Sequence, residues 1–345
     1  MKYLKLFKVL GFVLAITACS EEQKKEEQKE KVSEKIMDTI RLALDWSPNV
    51  LHAGIFYADY SGKLAENGLY LDWFTTEIDD YKKKPIQRLL DREVDLAIGP
   101  SEHLFYFGDT TEQNHAVAVA TLLQKDQSAF AVKASSGISY PKALDGKTYI
   151  GYNTPLENNI LSDMIKNDGG KGDFSSITPP RLSVWEAFMS NEGDVVWIFT
   201  HWEGALAKAK GEALNYFYPA DFGVPYGYSS VIMANRSRTA EKDALIQRFL
   251  TVLKQAHQTL VAMETQEVVK ILQAYHEHPN FENTEMLSIA WEDIRFSFLN
   301  PEGSWGIMQH EVWEDYFNWI SEQSFTAAPY KIEDVKVFYD ELKED

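Results

Sequence analysis

The chain has 345 residues, 45% hydrophobic, 13% aromatic and 25% charged, a mixture and length that suit two modest globular domains and exclude a fibrous or wholly disordered chain. With 34 basic against 52 acidic residues the formal net charge is −18, so the electrostatic attraction that drives nucleic-acid binding is missing. One cysteine, Cys19, excludes an internal disulfide or a thiolate metal cluster.

In chain order, residues 1–18 pair a short basic region (Lys2, Lys5, Lys8) with an apolar run of about ten residues, the pattern of a secretory signal. Ile16-Thr17-Ala18-Cys19 resembles a bacterial lipobox, so Cys19 is expected to carry lipid and to anchor the protein outside the cytoplasm on a bacterial membrane. Cleavage takes the net charge from −18 to −21, because it removes three lysines and no acid. Residues 19–38 hold a run of Glu, Gln, Lys and Ser with almost nothing apolar, which reads as a tether because it cannot bury enough surface to fold alone.

From Ile40 onward short apolar runs alternate with helical stretches, the signature of an α/β fold. The predicted strands are Ile40–Leu44, Leu69–Phe74, Asp95–Ile98, Ala116–Leu122, Ala129–Lys133, Lys147–Gly151, Val195–Phe199 and Ser230–Ala234. Between them fall predicted helices at Val50–Tyr60, Lys82–Asp91, Glu102–Phe107, Glu157–Asn167, Trp185–Ser190, Glu203–Lys210 and Lys242–Glu264. The last ninety or so residues read as helical, without a convincing strand, and their dense aromatics are assigned mainly to core. Outside the signal region no segment reaches the ~18–20 apolar residues of a membrane span.

Ligands of open α/β sheets sit beyond the carboxyl ends of strands, where helix N-termini present free N–H groups. Four strand-to-helix junctions therefore stand out. The first runs through Asp45, Trp46, Pro48, Asn49 and His52; the second through Gly99, Ser101 and Glu102; the third through Tyr152, Asn153 and Glu157; the fourth through Trp197, Trp202 and Glu203. Taken singly, Asn49 or Thr154 reads as ordinary capping chemistry, but capping does not call for aromatics. Together the four offer ring faces and directional polar groups suited to a flat, polar heterocycle in a shared cleft.

Catalytic and metal patterns fail in detail. Gly146-Lys147-Thr148 looks like the end of a phosphate-binding loop, but the position needing its first glycine holds Pro141. His276-Glu277-His278 is an i, i+2 pair before Pro279 and reads as a surface turn rather than a metal site. His52 has no visible orienting partner and reads as a hydrogen-bonding or packing residue. No catalytic residue, cofactor or metal is assigned.

The stretch 44–73, LDWSPNVLHAGIFYADYSGKLAENGLYLDW, resembles the thiamine-pyrimidine-precursor family, which joins periplasmic substrate-binding proteins of ABC importers to fungal pyrimidine synthases. Asp45, Trp46, Pro48, Asn49, His52 and Gly54 carry the signature, and fainter likeness continues through 94–102, 143–161, 195–205 and 221–235. The resemblance implies a type II periplasmic-binding fold: two α/β lobes, 39–130 plus 233–345 and 131–232, joined by strands crossing near Ala129–Lys133 and Ser230–Ala234. It further implies a small aminopyrimidine-like ligand and an ABC permease as partners. Trp46 would stack on the ligand ring, Asp45, Asn49 and His52 would line the first lobe, and Tyr152, Asn153, Glu157 and Glu203 would face them, with Tyr226 in the last matching stretch. Glu203 would pair with a ring nitrogen and amino group. Leu51 and Ala53 stand where the family often has Asn and Thr, which makes the cleft less polar. The synthases carry a cysteine-rich segment that this chain lacks. Two rival readings are the same fold binding an alkylsulfonate or other small solute, and a synthase that uses His52.

Overall fold

The computed structural model describes residues 37–107, 116–180 and 183–323. Ten strands form two five-stranded sheets. β1 (Asp38–Ala43), β2 (Leu69–Phe74), β3 (Leu96–Gly99), β4 (Ala116–Thr121) and β10 (Val231–Asn235) make the first, in the order β2-β1-β3-β10-β4. β5 (Ser128–Lys133), β6 (Thr148–Ile150), β7 (Ser175–Ile177), β8 (Val195–Phe199) and β9 (Leu214–Phe217) make the second, in the order β7-β6-β8-β5-β9. β1 runs parallel to β2 and β3, and β10 returns antiparallel between β3 and β4. In the second sheet β6 is parallel to β7 and β8, while β5 is antiparallel to β8 and β9.

The central strands are apolar on both faces because helices cover both sides. β3, β4 and β10 are buried at every residue. The first core joins β1, β2 and β3 to the helices Ala53–Tyr60, Arg236–Val261, Thr265–Tyr275 and Thr284–Ile294. The second collects Phe130, Tyr149, Val195 and the helix Pro155–Asn167. Helix His310–Ser321 serves both: Trp313 packs with Met308 and Val231 on the first sheet, and Tyr316 and Ile320 enter the second core.

Two sequence expectations need adjustment here. The crossings expected near Ala129–Lys133 and Ser230–Ala234 fall at the leading ends of these segments, since β5 then pairs wholly within the second sheet and β10 wholly within the first. The chain passes between sheets just ahead of each, over 122–127 and 218–230. β7 and β9 also went unpredicted. They are the edge strands of the second sheet, and edges are short and polar, with little periodic signal. Of the C-terminal aromatics, Trp291, Phe298, Trp305, Trp313 and Tyr316 are buried, whereas Phe296 is 71% exposed beneath the Arg295 guanidinium. No helix among the described residues is long and apolar enough to cross a membrane. The signal segment, Cys19 and most of the tether lie outside the described residues.

Candidate functional site

At the first junction, the turn after β1 is self-contained. Asn49 Oδ1 accepts from the Leu51 N–H at 2.8 Å and its Nδ2 donates to the Ser47 carbonyl at 3.0 Å. The Asn49 N–H donates to His52 Nδ1 at 3.3 Å, which fixes the tautomer: Nε2 carries the proton and donates to Asp45 Oδ1 at 2.8 Å. Ser230 Oγ, arriving at the start of β10, donates to Asp45 Oδ2 at 2.7 Å. Burial alone would raise the Asp45 carboxyl, but the hydrogen bonds from His52 and Ser230 outweigh it and hold the group below its ordinary value. Asp45 is therefore a carboxylate. Beside it the half-buried Trp46 packs on the Tyr81 ring, with centroids 5.2 Å apart and planes at 49°.

Beyond β3, Glu102 accepts from the Tyr226 hydroxyl at 3.0 Å across the second inter-sheet passage. Burial pushes its carboxyl up to about 7. Asp126, in the first passage, is likewise raised by burial to about 7, although Ser128 donates to it from its Oγ at 2.6 Å and its N–H at 3.1 Å. Ser101 is fully buried.

The second sheet supplies the facing wall. Glu157 Oε2 accepts from the Tyr149 hydroxyl at 2.9 Å and the Tyr152 N–H at 3.0 Å, and burial raises this carboxyl too. Thr154 caps the helix behind it. Asn153 is exposed in a left-handed conformation (φ 53°) and accepts from Asn158 Nδ2 at 2.7 Å. Trp197 lies between Phe130 and Tyr226, with centroids 5.1 and 5.3 Å away. After β8 comes a single π turn, Thr200–Gly204, a feature frequent at functional sites. It folds Glu203 back to accept from the Phe199 N–H at 3.0 Å, and burial, assisted by the Glu186 charge, raises that carboxyl to about 7.

Mutual electrostatic influence links several of these groups. The Tyr152 phenol is raised to about 12 by burial and then by Glu203, Glu157 and Tyr81. Tyr81 packs on Trp46. Glu102 responds to Asp126 and Glu157. His201, buried and pushed down to about 3, responds to Asp45 and His52.

The chain matches the NMT1/THI5-like family over residues 49–267. It belongs to that family. The formylaminopyrimidine-binding protein of Halalkalibacterium halodurans is 25% identical over 339 residues, covering 96% of this chain and 98% of its own. Among solved structures, the periplasmic aliphatic sulphonate binding protein SsuA of Escherichia coli aligns with a TM-score of 0.62 at 14% identity, covering 88% of this chain and 99% of SsuA. The desulfurization enzyme DszB aligns with a TM-score of 0.61 at 13% identity, covering 88% and 98%. Binding proteins and an enzyme thus share this fold, and the fold alone does not separate them.

Within this NMT1/THI5-like chain the expected site residues divide by what they touch. Glu102 is joined to Tyr226 and through it to Trp197, Glu157 to Tyr149 and Tyr152, Trp46 to Tyr81, Asp45 to His52 and Ser230, and Glu203 to the Phe199 N–H. Asn49 and His52 are turned inward: both are buried, and each bonds within the turn, with His52 also holding Asp45. Trp202 packs against the first core. The sequence reading missed Tyr81, Asp126 and His201. Asp126 lies in a polar run between two apolar strands, and His201 lies inside the fourth junction, between Trp197 and Trp202.

His276 and His278 are partly buried rather than on an open surface turn, with near-parallel rings 6.1 Å apart; His276 packs edge-on to Trp73, and His278 lies 3.4 Å from Glu77 while its Nδ1 accepts from the Asn280 N–H. Among the described residues no group of three His, Cys, Asp or Glu side chains is placed to hold a metal.

A pH dependence of stability follows from these shifts. Glu102, Asp126 and Glu203, raised to about 7 from 4.5, 3.8 and 4.5, hold more protons folded than unfolded, so their contribution is lost as pH rises from those ordinary values through about 7. His103, His201 and His257, lowered by burial from 6.5 to about 3, 3 and 4, act in the opposite sense: their contribution is regained as pH rises to 6.5. The two sets largely cancel between about pH 5 and 6.5, and the carboxyls prevail above, with a net loss on the order of 1 kcal/mol by about pH 8.5. Urea unfolding across this range should show a plateau and then a decline, shallower in Glu203→Gln. A rise above pH 7 would contradict it.

Proposed function

We propose that this protein is the lipid-anchored, extracytoplasmic binding component of an ABC importer, and that it captures an aminopyrimidine of the kind that precedes the thiamine pyrimidine. The observation that carries this reading is the composition of the inter-sheet wall. The junctions of the two sheets and the turn that carries Tyr81 supply four carboxyl groups, Asp45, Glu102, Glu157 and Glu203, and the rings of Trp46, Tyr81 and Tyr152, and none of these residues is cationic. Carboxyl groups accept paired N–H donors from an aminopyrimidine edge, while the rings provide faces for stacking. A sulfonate would meet carboxyl groups and no cationic partner among these residues, which disfavours the alkylsulfonate reading. The buried and fully bonded His52 likewise gives no support to a synthase that consumes it.

In this reading the first sheet with its helices forms one jaw and the second sheet with its helices the other, the chain passing between them over 122–127 and 218–230. They close on the ligand and release it unchanged to a permease, with Cys19 lipidated to keep the protein at the membrane. Isothermal titration with 4-amino-5-hydroxymethyl-2-methylpyrimidine and with ethanesulfonate tests the ligand assignment: saturable binding is expected for the pyrimidine alone, and binding of the sulfonate alone overturns it. In the same host, Cys19→Ser should move the protein from the membrane fraction to the soluble fraction.

A further inference from the structure

The ring that packs on Trp46 is held in an uncommon way. Tyr81 and Asp80 before it both have φ 59°, a left-handed conformation that a bulky side chain adopts only where its surroundings impose it. Here a closed turn imposes it. After the short 3₁₀ segment Thr76–Asp79, the Tyr81 N–H donates to the Thr76 carbonyl at 2.9 Å and the Asp80 N–H to the Glu77 carbonyl at 3.1 Å. The Lys82 N–H donates to Asp79 Oδ1 at 3.1 Å, and Arg88 pairs with the same carboxylate.

The phenol end is fixed as well. Ser47 Oγ donates to Glu77 Oε1 at 2.9 Å. A hydroxyl has one proton to give, so the 3.0 Å contact between Ser47 Oγ and the Tyr81 hydroxyl is donated by Tyr81. Ser47 is buried and directly follows Trp46 in the chain. The other oxygen of Glu77 is steadied in turn: Thr75 Oγ1 donates to Oε2 at 3.2 Å, and His278 Nε2 lies 3.4 Å from it. Asn280, two residues beyond His278, donates from Nδ2 to the Pro48 carbonyl at 3.0 Å. With its proton committed to Ser47, Tyr81 meets Trp46 through its ring, the centroids 5.2 Å apart.

We propose that Glu77 is a positioning residue for the ligand wall: acting through Ser47, it holds the Tyr81 ring against Trp46 so that the indole is oriented before the ligand arrives. This rests on the aminopyrimidine reading, which gives the ring pair its task. Neither Glu77 nor Ser47 has to touch the ligand. A turn that needed only a left-handed residue would be served by glycine or asparagine; a tyrosine there is explained by the use made of its ring. Fixing that ring in the free protein removes an ordering cost from binding.

Calorimetry on the full chain with 4-amino-5-hydroxymethyl-2-methylpyrimidine tests the assignment. Tyr81→Phe, Ser47→Ala and Glu77→Ala should each weaken binding about 3- to 10-fold, the range of one lost hydrogen bond. Glu77→Gln, whose amide oxygen still accepts from Ser47, should recover most of the affinity, which separates the bond from the charge. Because these residues act through one chain of bonds, Tyr81→Phe combined with Glu77→Ala should bind no more weakly than the worse single variant. A residue that only stabilised the fold would lower the melting temperature and leave affinity well below that temperature unchanged. If Ser47→Ala or Glu77→Ala fails to fold by circular dichroism, Tyr81→Phe decides, since it keeps the ring and removes one oxygen. The proposal is overturned if Trp46→Ala weakens binding while Tyr81→Phe or Glu77→Ala stays within about twofold of wild type, or if the effects of that pair multiply. Should the wild type bind and Trp46→Ala make no difference, the ring pair is not the wall and the proposal falls with it. A wild type that does not bind at all sinks the aminopyrimidine reading itself.

Discussion

Gly54→Ala is expected to destabilise the protein by about 2 kcal/mol or more, the upper part of the range for overpacking a core. Gly54 lies in the helix Ala53–Tyr60, where alanine would ordinarily be the better residue by about 0.5–1 kcal/mol. What forbids it is space. A Cβ on Gly54 would fall inside the imidazole of His257, on the helix Arg236–Val261. That ring is fixed on two sides: its Nδ1 is 2.8 Å from the Leu253 carbonyl, and its face stacks on Trp305 at 4.5 Å with planes 10° apart. Both helices would have to separate, and each carries first-core residues. Urea denaturation measures the cost, and a double-mutant cycle with His257→Ala isolates its origin, since the pair should show strong positive coupling. A Gly54→Ala variant within about 0.5 kcal/mol of wild type would contradict this account of why glycine stands there.

Trp46→Ala is expected to weaken aminopyrimidine binding by about 10- to 100-fold, corresponding to the ~1–3 kcal/mol that an aromatic face contributes when a planar base stacks on it. Trp46 already packs on Tyr81, so its ring is held before a ligand arrives and little ordering entropy remains to be lost on binding. Trp46→Phe retains a face and should recover most of the affinity. The indole is half-buried and absent from the cores, so the melting temperature of the alanine variant should stay close to wild type. Titration calorimetry with thermal melts separates the two effects. Unchanged affinity in Trp46→Ala would remove this side chain from the binding surface.

The sequence was most informative where one element determines its own environment. Val195–Phe199 coincides with β8 because a continuous apolar run bounded by turns has little alternative to a buried strand, and Leu69–Phe74 with the edge strand β2 because buried Leu69 and Leu71 alternate with the exposed Tyr70. The junctions were legible for a similar reason, since a strand end, a proline and a capping residue lie within a few positions. Yet a cap and a ligand contact look alike in sequence, and Asn49 was read as facing the ligand when its side chain is bonded within the turn. The grouping of Tyr81, Asp126 and His201 depends on how two sheets and two passages bring distant segments together, which no local period encodes. The same holds for His52: its partners are Asp45, seven residues earlier, and the Asn49 N–H, and only the folded turn brings its ring to both.

Helix His310–Ser321 gives the two lobes a third mechanical link besides the chain passages. With Trp313 seated on the first sheet and Tyr316 and Ile320 in the second core, and with Trp319 Nε1 donating to Asp163 at 3.2 Å, it lies like the spine of a book along both covers. Any opening of the jaws must either pivot about that spine or strip one row of its side chains from their seats. A pivot alone leaves those seats intact.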